Sequence, residues 1–141
     1  MTRSLRVVVA VLLIVTGMVH LNLYAREHYR AIPTVGWLFL LTTISAALLA
    51  IATVVRPRPV VEVSAGLFAL GVLGGYLLTL YLPRGLFDFK EPGISYSGAL
   101  SIAVEAGIIL VLSIAHWRRG GRRRVPTSHD AASSENRTSR P

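Results

Sequence analysis

The chain has 141 residues, 52% hydrophobic and 16% charged, with 15 Lys and Arg against 7 Asp and Glu, a formal net charge of +8 and no cysteine. A mean hydropathy of +0.56 is too high for a water-soluble domain of this length, which needs a larger polar share to cover its surface. The missing cysteines exclude disulfides, thiolate metal sites, iron–sulfur clusters and covalently attached haem.

Four apolar runs occupy most of the sequence: 5–24, 35–55, 60–82 and 96–117. Each has the length of about 20 residues that a helix needs to cross a bilayer. They are too long, and alternate too little, for strands, and an open sheet cannot satisfy its backbone in lipid. The expected fold is all-α, a four-transmembrane-helix bundle over 1–117 with a disordered basic C-terminal tail over 118–141. The first run follows Arg3 and Arg6 as a signal peptide would, but Leu23-Tyr24-Ala25 is a poor cleavage site, so the run is expected to remain as a span. Pro33 opens the second run, Pro57 and Pro59 separate the second from the third, Pro83 ends the third and Pro92 precedes the fourth. All sit at boundaries, where a missing N–H costs least. The tail is rich in Ser and Arg and poor in apolar residues, the composition of disorder. Its Arg cluster suits anionic lipid headgroups; nucleic-acid binding would call for a folded basic surface with aromatics.

Cations orient the spans. Arg3, Arg6, Arg56, Arg58, Arg118, Arg119, Arg122, Arg123, Arg124, Arg137 and Arg140 fall on one side, and Arg26, Arg30, Arg84 and Lys90 on the other. That bias of 11 to 4 places both termini in the cytoplasm. The arginine-for-lysine usage is that of GC-rich codons, which points to a bacterial plasma membrane. The two outer connections, 25–34 and 83–95, carry Tyr24, Tyr29, Trp37, Tyr81, Phe87, Phe89 and Tyr96 on or beside them, 7 of the 11 aromatic residues. They read as an interfacial belt, or as a cap over a shallow outward cavity. Glu27, Asp88, Lys90 and Glu91 form a solvated rim, and Trp117 is the anchor at the inner face. Glu62 follows Arg58 by four residues at a helix start, where an i,i+4 pair and the helix dipole account for it.

Two ionisable residues lie inside the spans. Glu105 is about 13 Å below the outer boundary and His20 about 6 Å, at 1.5 Å per residue. Both sit on polar or small stripes: Leu13, Thr16, Gly17, His20 and Tyr24 on the first helix, and Gly98, Ser101 and Glu105 on the fourth. Thr42, Thr43 and Ser45 on the second and Tyr76 and Thr79 on the third fall at similar depth. The expected polar cluster is His20 and Glu105 with Ser101, Tyr76 and one of Thr42 or Thr43. A lone carboxylate in apolar surroundings costs several kcal/mol, so Glu105 is expected to find a partner or keep its proton. Such a cluster serves either as glue between helices or as a site for a proton or small molecule. Helix packing is expected at Gly71 and Gly75, a GxxxG, and along Ala99, Ala103 and Gly107, within the bundle or between copies.

No phosphate loop, HExxH or GxSxG is present. A membrane haem takes two histidines on facing helices, and only His20 is well inside, with His116 at the opposite face and His28 in a connection; no cofactor or metal is expected. The four-helix length is similar to that of small multidrug transporters, which couple protons through a glutamate in the first helix, where this chain has a histidine. Gly17-Met18-Val19-His20-Leu21, the run from Tyr29 to Leu40 (YRAIPTVGWLFL), Gly74-Gly75-Tyr76, the run from Leu86 to Glu91 and Val104-Glu105-Ala106 together resemble a group of four-helix membrane proteins of actinobacteria. That resemblance covers about residues 5–115 and implies a four-helix fold in a bacterial plasma membrane, with no activity attached. The function expected first is a non-catalytic membrane protein packing with itself or a membrane partner. The second is a small carrier of a proton or lipophilic solute through the outer-half polar site.

Overall fold

The computed structural model describes residues 1–26, 33–87 and 89–122, with the side chains of Pro33 and of residues 120–122 excepted. Expectations for Glu27, His28, Tyr29, Arg30, Asp88 and the tail beyond Arg122 lie outside the described residues. Four helices, α1 (Arg3–Arg26), α2 (Pro33–Val55), α3 (Pro59–Tyr81) and α4 (Tyr96–Arg122), make up nearly all of them. All four are long and apolar enough to cross a membrane.

Local chemistry sets the ends. Pro59 takes the first turn of α3, where its missing N–H is not needed. The residue before Pro83, Leu82, is forced to an extended conformation (ψ 142°) and α3 stops there. The Leu82 N–H still reaches the Leu78 carbonyl at 3.1 Å. Ser95 caps α4 by accepting the Gly98 N–H on its hydroxyl at 3.1 Å. α4 then runs to Arg122, five residues beyond the expected end at 117. Residues 118–122 therefore belong to the helix and not to a tail.

Successive helices run antiparallel around a square. α1 packs most extensively on α2 and also on α4, α3 packs on α4, and α2 touches α3 least. One end of the bundle holds residue 1, the Arg56–Arg58 turn and the end of α4; we call it the terminal end. The other, the loop end, holds the end of α1, the start of α2 and the α3–α4 connection. The apolar core lies toward the terminal end: Val9, Ala10 and Leu13 meet Ala50, Ala65, Ala69, Val104 and Ile108. Much of the outer surface is apolar too, including Val11, Ile14 and Met18 on α1, Ile44, Leu48 and Ile51 on α2, and Val63, Leu67 and Leu70 on α3.

Glu62 corrects an expectation. Its carboxylate pairs with the Arg119 guanidinium of α4 and lies 3.7 Å from the Met1 ammonium, rather than pairing with Arg58. Antiparallel packing puts the start of α3 beside the end of α4, so the cation that reaches Glu62 comes from another helix.

The α3–α4 connection is folded back on itself. Leu86 and Phe89 exchange both backbone hydrogen bonds, at 2.9 and 3.0 Å, as in the tightest hairpin loop. Phe87, inside the turn, has φ 55°. Gly85 has φ 69°, and a Cβ there would overlap the Phe89 carbonyl, so this position requires glycine. The Glu91 N–H bonds the Thr79 carbonyl at 3.2 Å and ties the segment to α3.

Candidate functional site

A cavity of about 420 Å³ occupies the loop half of the bundle. Its size is that of small-molecule sites. α1 contributes His20 and Leu23, and α2 contributes residues from Val35 to Ser45. α3 contributes a face running from Leu67 through Gly71 and Gly75 to Thr79, and α4 contributes Gly98 and Ser101. Leu86, Phe87, Phe89 and Glu91 of the folded connection complete the wall. The expected aromatic belt is thus divided. Trp37, Tyr81 and Tyr96 are strongly exposed, whereas Phe89 is half-buried against the cavity.

The cavity wall is mostly apolar, with a few polar groups. His20, 6% exposed, is fixed from two sides. Its Nδ1 lies 2.9 Å from the Thr16 carbonyl, and its ring meets Phe39 edge-on at 5.4 Å. A carbonyl only accepts, so Nδ1 carries the proton, and in the neutral ring Nε2 is left as an acceptor. Tyr76 lies over α4, where Gly98 makes room for it; a Cβ at Gly98 would overlap the phenol oxygen. That hydroxyl is buried and makes no hydrogen bond of good geometry among the described residues. Ser101 is buried and lines the cavity. Thr42 lines it as well, but donates to the Leu38 carbonyl one turn back at 2.8 Å.

Glu105 and Thr43 stand behind the wall. Glu105 is fully buried, and its Oε1 accepts the Thr16 hydroxyl at 2.7 Å. Its Oε2 has no partner among the described residues. The direct pair of Glu105 with His20 is not formed. Thr16 stands between them, its hydroxyl on Glu105 and its carbonyl on His20. The physical reason is depth: Thr16 is one turn deeper than His20 on the same stripe, about 6 Å, and reaches Glu105 without any tilt of α1. The Thr43 hydroxyl lies 2.9 Å from the Phe39 carbonyl and 3.3 Å from the Gly17 carbonyl, which ties α2 to α1.

The packing stripes also divide. Gly71 and Gly75 line the cavity rather than a helix contact: a Cβ at Gly71 would meet nothing within 4 Å, and one at Gly75 only Leu86 at 4.0 Å. Gly107 does receive another helix, with Leu12 of α1 at 3.5 Å from a built Cβ. Ala99 and Ala103 are exposed. Thr16, Ser45 and Thr79 are visible in the sequence as members of the polar stripes, whereas Glu91, expected on a solvated rim, joins the cavity wall. No group of three or more metal-ligating side chains occurs among the described residues. Compared with protein-family models, curated proteins and solved structures, the chain matches none, and its site is read from its own geometry.

Proposed function

We propose that this chain is a multi-pass protein of the bacterial plasma membrane, with both termini cytoplasmic, that binds a lipophilic solute in the outer half of its bundle. The observation that carries the reading is the cavity of about 420 Å³, walled by apolar side chains yet holding His20, Ser101 and Tyr76. Leu41 and Leu67 line it while being 59% and 64% exposed on the outside of the bundle. In a bilayer those positions face acyl chains, so a solute already dissolved in lipid enters sideways between α2 and α3. The apolar outer surface, the exposed Trp37, Tyr81 and Tyr96 at one end and Trp117 at the other support the transmembrane setting. The Arg-rich end of α4 then lies at cytoplasmic anionic headgroups.

The binding test is a plug. Gly71→Leu introduces a side chain into open space, and the variant is expected to fold and to lose the lipophile that wild-type protein retains on purification from native membranes. Equal recovery from both proteins would refute the reading. Orientation is tested with single cysteines, which the native chain lacks. Ser95→Cys is expected to label from outside intact cells and Ser133→Cys only after lysis.

A second reading, packing with another copy or a membrane partner, is favoured by one observation. Ala99 and Ala103 form an exposed small-residue face on α4, and Gly74 has nothing within 4 Å of a built Cβ. Ala103→Leu is expected to dissociate such an assembly in crosslinking and to leave solute binding intact.

A further inference from the structure

The polar groups on the cavity wall differ in what they have left to offer an occupant. His20 spends its Nδ1 proton on the Thr16 carbonyl, so what it offers to an occupant is the Nε2 lone pair. Tyr76 puts its ring on the wall, while its hydroxyl is buried against Gly98 of α4. No Lys or Arg lines the cavity among the described residues, so nothing there is built to hold an anion. Resting on the solute-binding reading above, we infer that the occupant is a neutral lipophile headed by a hydroxyl, an alcohol or a phenol, whose O–H is donated to Nε2 of His20. A ketone or an ether leaves His20 without a donor. A carboxylate meets no cation among the described residues, and a quaternary ammonium brings no proton to His20.

The experiment uses the full chain in nanodiscs, with empty nanodiscs as the reference, and four probes sharing one octyl chain. These are para-octylphenol, its methyl ether, para-octylbenzoate and para-octylphenyl-trimethylammonium. The phenol is expected to bind about tenfold tighter than the ether, the value of one well-made hydrogen bond, with the benzoate weakest. His20→Phe, which keeps a ring against Phe39, is expected to abolish the preference for phenol over ether. His20→Gln, whose amide oxygen accepts, is expected to restore part of it. Equal binding of phenol and ether to the wild-type protein would overturn the hydroxyl headgroup while leaving the solute-binding reading in place. A benzoate or ammonium that binds tightest would overturn it as well. Failure of every probe to exceed the empty nanodisc would refute the solute-binding reading itself. If His20→Phe does not reconstitute, the wild-type comparison of phenol with ether and the His20→Gln variant decide the matter.

Discussion

The two halves of the bundle put small residues to opposite uses. Toward the terminal end, Ala10, Ala50, Ala65 and Ala69 are buried and let the helices close onto Val9, Leu13 and Ile108. Toward the loop end, Gly71 and Gly75 on α3 face an opening that no neighbouring helix fills. The difference lies in how α2 and α3 are tethered. The short Arg56–Arg58 turn joins them at the terminal end, while at the loop end α2 is bound to α1 and α3 to α4. A small side chain draws two helices together only where both are held close; elsewhere it leaves room for a guest.

Substitutions in the two halves should therefore differ in cost. The largest effect is expected for Ile108→Ala in the dry half, about 2 kcal/mol, measured by detergent-driven unfolding in mixed micelles. This is the low end for a buried large-to-small change, because in a mixed micelle the loss is of packing contacts and not of shelter from water. Leu41→Ala on the cavity wall should cost a few tenths of a kcal/mol at most, and equal costs at the two sites would erase the distinction. Next comes Glu105 at the boundary between the halves. Glu105→Ala leaves the Thr16 hydroxyl unpaired and a void beside it, and should cost about 1.5 kcal/mol in the same assay. Glu105→Gln keeps an acceptor for Thr16 and should stay within about 0.5 kcal/mol of wild type. A smaller loss, up to about 1 kcal/mol, is expected for Glu62→Gln at the terminal end, and the loss should shrink as salt is raised because Arg119 is 41% exposed. The smallest effect on stability is that of Gly71→Leu, which should leave the unfolding midpoint unchanged; a clear drop would mean that the cavity is narrower in the membrane than the geometry indicates.

The four helices were legible in the sequence because apolar runs of this length leave few alternatives to a long helix. Four runs near 20 residues bounded by prolines fix the helices to within a few residues, apart from the extension of α4 through its Arg cluster. The polar layer was legible as a set of stripes, and the stripes place His20, Ser101, Tyr76 and Thr42 on the cavity wall. The pairings within it were not. Glu105 bonds Thr16 because partner choice depends on relative helix height, which periodicity alone does not supply. Glu62 was assigned to Arg58 for the same kind of reason: the nearest cation in sequence is visible, and one 57 residues away is not. The glycines of α3 posed the hardest case, since a GxxxG reads identically whether it admits a helix or a ligand.

The Glu62–Arg119 pair also carries information about time. A ribosome makes α3 well before the end of α4, and Glu62 emerges 57 residues ahead of its guanidinium. During that interval the α1–α2 hairpin is already complete, whereas α3 has only its slight contact with α2 and the Met1 ammonium beside Glu62 to hold it. The fold therefore closes with a latch: α3 is secured when the last turn of α4 arrives, and a chain stalled or cut before Arg119 leaves a third helix with little to close against.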